Sequence, residues 1–143
     1  MSKFREKIQV NTELIEHIKE RSIAALQDEA YIETAVIMFQ INEQLLRICI
    51  EALATNNGVS EKKVDECAWT ERIIPNLLKY LDLLDPDNQI SDKFANYNIA
   101  RNKIMHKLFH SFTSIEEYQE RLKEFCRKSI KIHDELMDFI RKI

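Results

Sequence analysis

Within the stretch ARNKIMHKLF, from Ala100 to Phe109, three residues offer usable chemistry: Arg101, Asn102 and His106. Arginine carries a planar, permanently charged fork that fits a phosphate. Histidine titrates near neutral pH and can take or give a proton. An amide beside them can orient either group. The set suffices for metal-independent RNA cleavage. The imidazole would deprotonate a ribose 2′-hydroxyl, and the guanidinium would stabilise charge growing on the attacked phosphate. One histidine cannot easily be acid and base at once, so this chemistry predicts a two-fold dimer in which two such strips meet.

A helix must position them. At about 100° per residue, Phe94, Tyr97, Ile104, Met105 and Leu108 share one arc, with Arg101 at its middle. Asn98, Asn102 and His106 form the adjacent strip, with Asn102 and His106 in the i,i+4 relation. Lys103 and Lys107 point the other way. A guanidinium on an apolar face is costly unless it is paired. It can pair with a carboxylate from another helix, such as Glu43. It can reach solvent along its own stem. It can also hold an anion in a cleft or at a subunit interface. His110, one turn beyond His106, either assists at the cleft or ends the helix, where a protonated imidazole suits the dipole. Asn42 falls on the apolar face of an earlier helix. It is a buried amide in need of a partner, either in a structural hydrogen bond or as support for Arg101 or His106.

The surrounding sequence reads as helices only. One glycine and two prolines in 143 residues favour long helices over many short strands. The first helix is predicted from Asn11 or Thr12 to about Asp28, and the second from about Ala30 to Ala54, with Gly58 as a left-handed cap. A short helical turn starts at Ser60. The third helix runs from about Thr70 to Leu84, with Pro75 in its first turn or at a kink. The Asp85–Asn88 turn leads to the fourth, from Ser91 or Asp92 to about His110. The fifth starts near Ser114 and continues to the C-terminus. Its stripe is Ile115, Tyr118, Leu122, Phe125, Ser129, Ile132, Leu136, Phe139 and Ile143. The second helix is apolar round most of its circumference and should be central. Its polar face is Glu33, Gln40, Glu43, Gln44, Arg47 and Glu51. The expected fold is a single all-α domain over residues 1–143, an up-down bundle of about five helices.

Arg101-Asn102-x-x-x-His106, late in a small all-helical chain and followed by one long helix, resembles the HEPN superfamily. That family is marked by Arg, four to six residues, then His, often with a polar residue directly after the Arg. The resemblance implies a dimerising bundle whose two motif helices form a composite cleft. It also implies either a metal-independent endoribonuclease or a catalytically silent module that binds RNA or a protein partner. Active members serve as toxins, in phage defence or in RNA processing. By carry-over, Arg101 and His106 are the catalytic pair and Asn102 their polar companion, with Asn98, His110 and Asn42 as supporting candidates. The chain departs from one toxin subgroup, which has Tyr two residues after the His; Leu108 stands there, which puts an antitoxin partner of that subgroup's kind in doubt. The same loose spacing recurs at Arg127…His133, among Lys128, Lys131 and Asp134, and reads as a solvated face.

Composition narrows the classes. The chain is 45% hydrophobic and 31% charged, with a formal net charge of −3, so it is not a general polyanion binder. Yet no Asp or Glu occurs between Lys93 and Ile115, which suits a small anionic site. No CxxC or Glu-x-x-His motif calls for a metal, and no cofactor is expected. Cys49, Cys67 and Cys126 are odd in number and far apart, and Cys49 and Cys126, among apolar residues, read as free core thiols in a reducing compartment. No apolar run suits a membrane span, and the N-terminus lacks the apolar core of a signal peptide. These features predict a cytoplasmic protein.

Overall fold

The structure, a computed structural model, describes residues 3–106 and 114–143, with side chains from residue 13 onward. Among the described residues it is all-helical. The helices are α1 (Lys3–Gln27), α2 (Tyr31–Asn56), α3 (Glu61–Val64), α4 (Ile74–Leu84), α5 (Ile90–His106) and α6 (Ile115–Lys142). A π-helical segment, Asp65–Thr70, continues directly from α3. No described helix is long and apolar enough to cross a membrane.

The turn chemistry stands where the residue types place it, with adjustments. α2 ends with Gly58 at φ +75°, and Val59 N–H donates to the Ala54 carbonyl at 3.0 Å. This is the wrapped end that a left-handed residue permits. α1 ends the same way on Glu29 (φ 64°), with Ala30 N–H on the Ala25 carbonyl at 2.9 Å. The Ser60 and Ser114 hydroxyls accept from the Lys63 and Glu117 amides, capping α3 and α6. Asn88, rather than Ser91 or Asp92, caps α5: its Oδ1 accepts from the Ile90 and Ser91 amides. α1 starts at Lys3, well before the expected Asn11 or Thr12. The preceding residues are mostly good helix formers, and a cap signal does not interrupt them. α4 starts at Ile74 with Pro75 in its first turn, so the expected start at Thr70 is corrected. A proline lacks the N–H a helix interior needs and disfavours helical geometry before it.

α2 is the central helix, buried on most of its circumference. It packs against α1, α4 and α6, while α5 lies between α4 and α6. One apolar cluster draws on every helix, including Ile15, Met38, Leu45, Leu77, Phe94, Phe125 and Leu136. Cys49 and Cys126 are buried and free, and burial pushes both thiols up, Cys126 to about 11.

Two expected solvent faces are corrected. Arg47 and Glu51, on the predicted polar face of α2, are only 7% and 9% exposed. The π segment covers them. Arg47 Nη1 donates to the Ala68 and Glu71 carbonyls at 2.7 and 2.6 Å, and Trp69 Nε1 donates to Glu51 Oε2 at 2.9 Å. Carbonyls at a helix end need donors from elsewhere, and the Arg47 fork supplies them. The Glu71 carboxylate accepts from the Ile73 amide at 3.0 Å, which lowers its pKa. On α6, Arg127 is exposed but His133 is wholly buried against α1. Its Nε2 lies 3.6 Å from Glu16 Oε1, and neither ring nitrogen has a hydrogen-bond partner among the described residues.

Candidate functional site

α5 is held to the bundle by its aromatic residues. Phe94, Tyr97 and Ile104 are buried. The Tyr97 ring stacks on Phe125 at 5.2 Å, meets Phe94 edge-on at 5.6 Å and lies 5.4 Å from Phe39 of α2. Its hydroxyl completes a directed chain of hydrogen bonds. Asn42 Nδ2 donates to the Tyr97 hydroxyl at 3.1 Å, the hydroxyl donates to Ser129 Oγ at 2.9 Å, and Ser129 Oγ donates to the Phe125 carbonyl at 3.0 Å. Asn42 Nδ2 also donates to the Ser129 carbonyl at 3.0 Å. Burial pushes the Tyr97 phenol up to about 12. Asn42 thus finds its partners in Tyr97 and Ser129. They tie α2, α5 and α6 together one helical turn before Arg101.

Arg101 does not sit in the middle of the buried arc; it lies half-buried at its edge. Its guanidinium carbon is 4.5 Å from the centre of the Phe39 ring, and Nη1 donates to Asn102 Oδ1 at 3.1 Å. A cation over an aromatic face is attracted to the ring's negative face, while its in-plane N–H groups not bonded to Asn102 can turn outward. No carboxylate pairs with Arg101 among the described residues. Glu43, the partner expected from α2, instead lies 3.6 Å from Arg47 Nη2.

The other candidates fall in a line. Asn98 and Asn102 are half-buried and His106 is exposed, each one turn after the last. At about 100° per residue, Arg101 and His106 are about 140° apart around α5. A single chain therefore does not bring their side chains face to face. Asn102 stands between, bonded to Arg101 and one turn from His106. His110 lies outside the described residues. His17 is exposed on α1.

Phe39 has no signature in the sequence that would link it to Arg101. Its approach depends on how α2 and α5 pack, although both residues lie on apolar arcs. No group of three or more His, Cys, Asp or Glu side chains able to hold a metal ion occurs among the described residues. What the site offers is an oriented guanidinium, an amide and an exposed imidazole on one helix. Such a set can bind an anion and move a proton. No protein-family model, curated protein or solved structure matches this chain.

Proposed function

We propose that this chain is a metal-independent endoribonuclease of the HEPN type, acting as a two-fold dimer. One observation carries the reading: the Arg101 fork rests on Phe39 and Asn102 with no carboxylate neutralising it among the described residues. A half-buried cation left without a counter-ion is suited to an anion that comes and goes. In the proposed reaction His106 takes the proton of a ribose 2′-hydroxyl. The oxygen attacks the adjacent phosphorus, the bond to the 5′-oxygen breaks, and His106 of the second copy protonates that oxygen. Arg101 stabilises the charge on the non-bridging oxygens. The second copy is needed because the two side chains diverge around α5 within one chain.

The test is cleavage of RNA in EDTA, with 2′,3′-cyclic phosphate ends as the expected product. His106→Ala should abolish it without unfolding the protein, and cleavage unchanged in that variant would remove His106 from the mechanism. A second reading is a catalytically silent dimeric module that binds RNA or a protein partner. It is favoured by the same 140° divergence and by the contacts the Arg101 fork already makes. It expects RNA retention or partner capture without turnover.

A further inference from the structure

On the flank of α5 away from Arg101, a groove runs between α5 and α6. One stretch, of about 300 Å³, is lined by Lys93, Asn96, Tyr97, Lys128, Lys131 and Glu135, among others. The next, of about 540 Å³, extends it past Ala100 to Lys103, Glu117, Arg121 and Glu124. Asn96 and Lys128 line both stretches, so the groove is continuous. Two of its cations are paired: Lys93 with Glu135 at 3.5 Å and Arg121 with Glu124 at 3.8 Å. Lys103, Lys128 and Lys131 are exposed, and no carboxylate pairs with them among the described residues. Three unpaired lysines on a chain of net charge −3 make a local positive field that a diffuse charge count conceals.

We infer that this groove holds the phosphodiester backbone of a single strand of RNA. Packed helices lie about 8–10 Å apart, so the furrow between them admits one backbone and not a duplex. From Lys93 to Lys103 it runs about 15 Å at about 1.5 Å per residue. Its lining sets five cations, Lys93, Lys103, Arg121, Lys128 and Lys131, against three carboxylates, Glu117, Glu124 and Glu135, with an amide from Asn96 and no open aromatic face, which suits contact with phosphates and sugars rather than bases. The inference rests on the reading that the chain acts on RNA, and it adds the path of the strand. Lys103 and His106 are i,i+3 neighbours on α5, so the groove opens beside the proposed base.

The experiment measures fluorescence anisotropy of a fluorescein-labelled oligouridylate in EDTA, with His106→Ala as the parent so that the RNA survives. The double variant K128E/K131E is expected to weaken binding by about tenfold or more and to reduce the log–log salt slope by roughly 1.4, two phosphate contacts' worth. K128Q/K131Q, which adds no repulsion, should weaken it several-fold. K62E/K63E, on exposed lysines of α3, should leave it within about twofold. Equal losses from the α3 variant would overturn the inference, as would unchanged binding in K128E/K131E or no binding by the parent at about 50 mM salt. Inorganic polyphosphate that binds where the oligouridylate does not would also overturn it. The nuclease reading fails separately: groove variants that release RNA, in a protein that never cleaves it, leave the groove assigned and the Arg101–His106 chemistry refuted.

Discussion

Arg47 and Arg101 both bring a guanidinium against α2, and their surroundings are opposite. Arg47 is almost wholly buried, with two carbonyls at 2.7 and 2.6 Å and a carboxylate at 3.6 Å. Its acceptors are fixed by the π segment and by Glu43 on its own helix. Arg101 is half-buried and propped by a ring face and a neighbouring amide. The first arginine is a tie between α2 and the end of the π segment, its Nη1 donors met by the chain's own carbonyls. The second is positioned by contacts that leave most of its donors unspent. Burial with acceptors supplied by the chain marks structure, and orientation without neutralisation marks a site that can receive an anion.

The largest expected effect tests the tie. Arg47→Ala should cost about 3 kcal/mol, because it strands the buried Ala68 carbonyl and the part-buried Glu71 carbonyl and leaves Glu43 without its cation. Urea denaturation would measure it, and a loss under about 1 kcal/mol would mean that water replaces the fork. Next is Tyr97→Phe, which keeps the ring stack but removes the hydroxyl joining Asn42 to Ser129. It should cost about 1–2 kcal/mol, read from the same curves. Arg101→Ala should cost no more than about 1 kcal/mol, the worth of a partly exposed cation over a ring. Under the nuclease reading it also removes cleavage. A loss of stability as large as that of Arg47→Ala would erase the difference between the two arginines.

The smallest expected effect is a change of slope with pH. Burial holds His133 below the ordinary histidine pKa of 6.5; Lys19 lowers it further, while Glu16 and Asp134 raise it. Below pH 6.5 the unfolded chain binds this proton and the folded chain resists it, so His133's contribution to stability is full above that pH and is lost as pH falls. His133→Leu should therefore flatten the acid limb of a stability–pH curve below about pH 6.5. An unchanged limb would mean that the imidazole is already charged against Glu16 in the native state. This buried, titratable group, with no hydrogen bond to hold it among the described residues, lies between Arg47 and Arg101 in kind.

Much of this architecture is legible in the sequence because its signals are local. Apolar spacing marks α2 as central and gives the α6 stripe from Leu122 to Leu136; Gly58, Pro75 and Ser114 mark ends that hydrogen bonds then fill. Local signals also mislead where the partner is distant. Arg47 and Glu51 lie on the polar arc of α2, yet the π segment buries them, because a chain segment that supplies both acceptors and a Trp donor can cover a charged face. Lys128 and Lys131 read as an ordinary wet face of α6, since nothing in their own helix shows that Lys93 and Lys103 stand across a groove.

Residue types and spacing by themselves determined the helices of the described residues, the central place of α2 and the order of Asn98, Asn102 and His106 along one helix, since these follow from backbone periodicity and capping. Only the tertiary structure decided that Arg101 lies over Phe39, that Asn42 is bound to Tyr97 and Ser129, and that Arg47 is enclosed. Each of these depends on which helices meet and at what height. A helix's own period specifies its faces, whereas the partner of a buried polar group is chosen by packing between elements far apart in sequence.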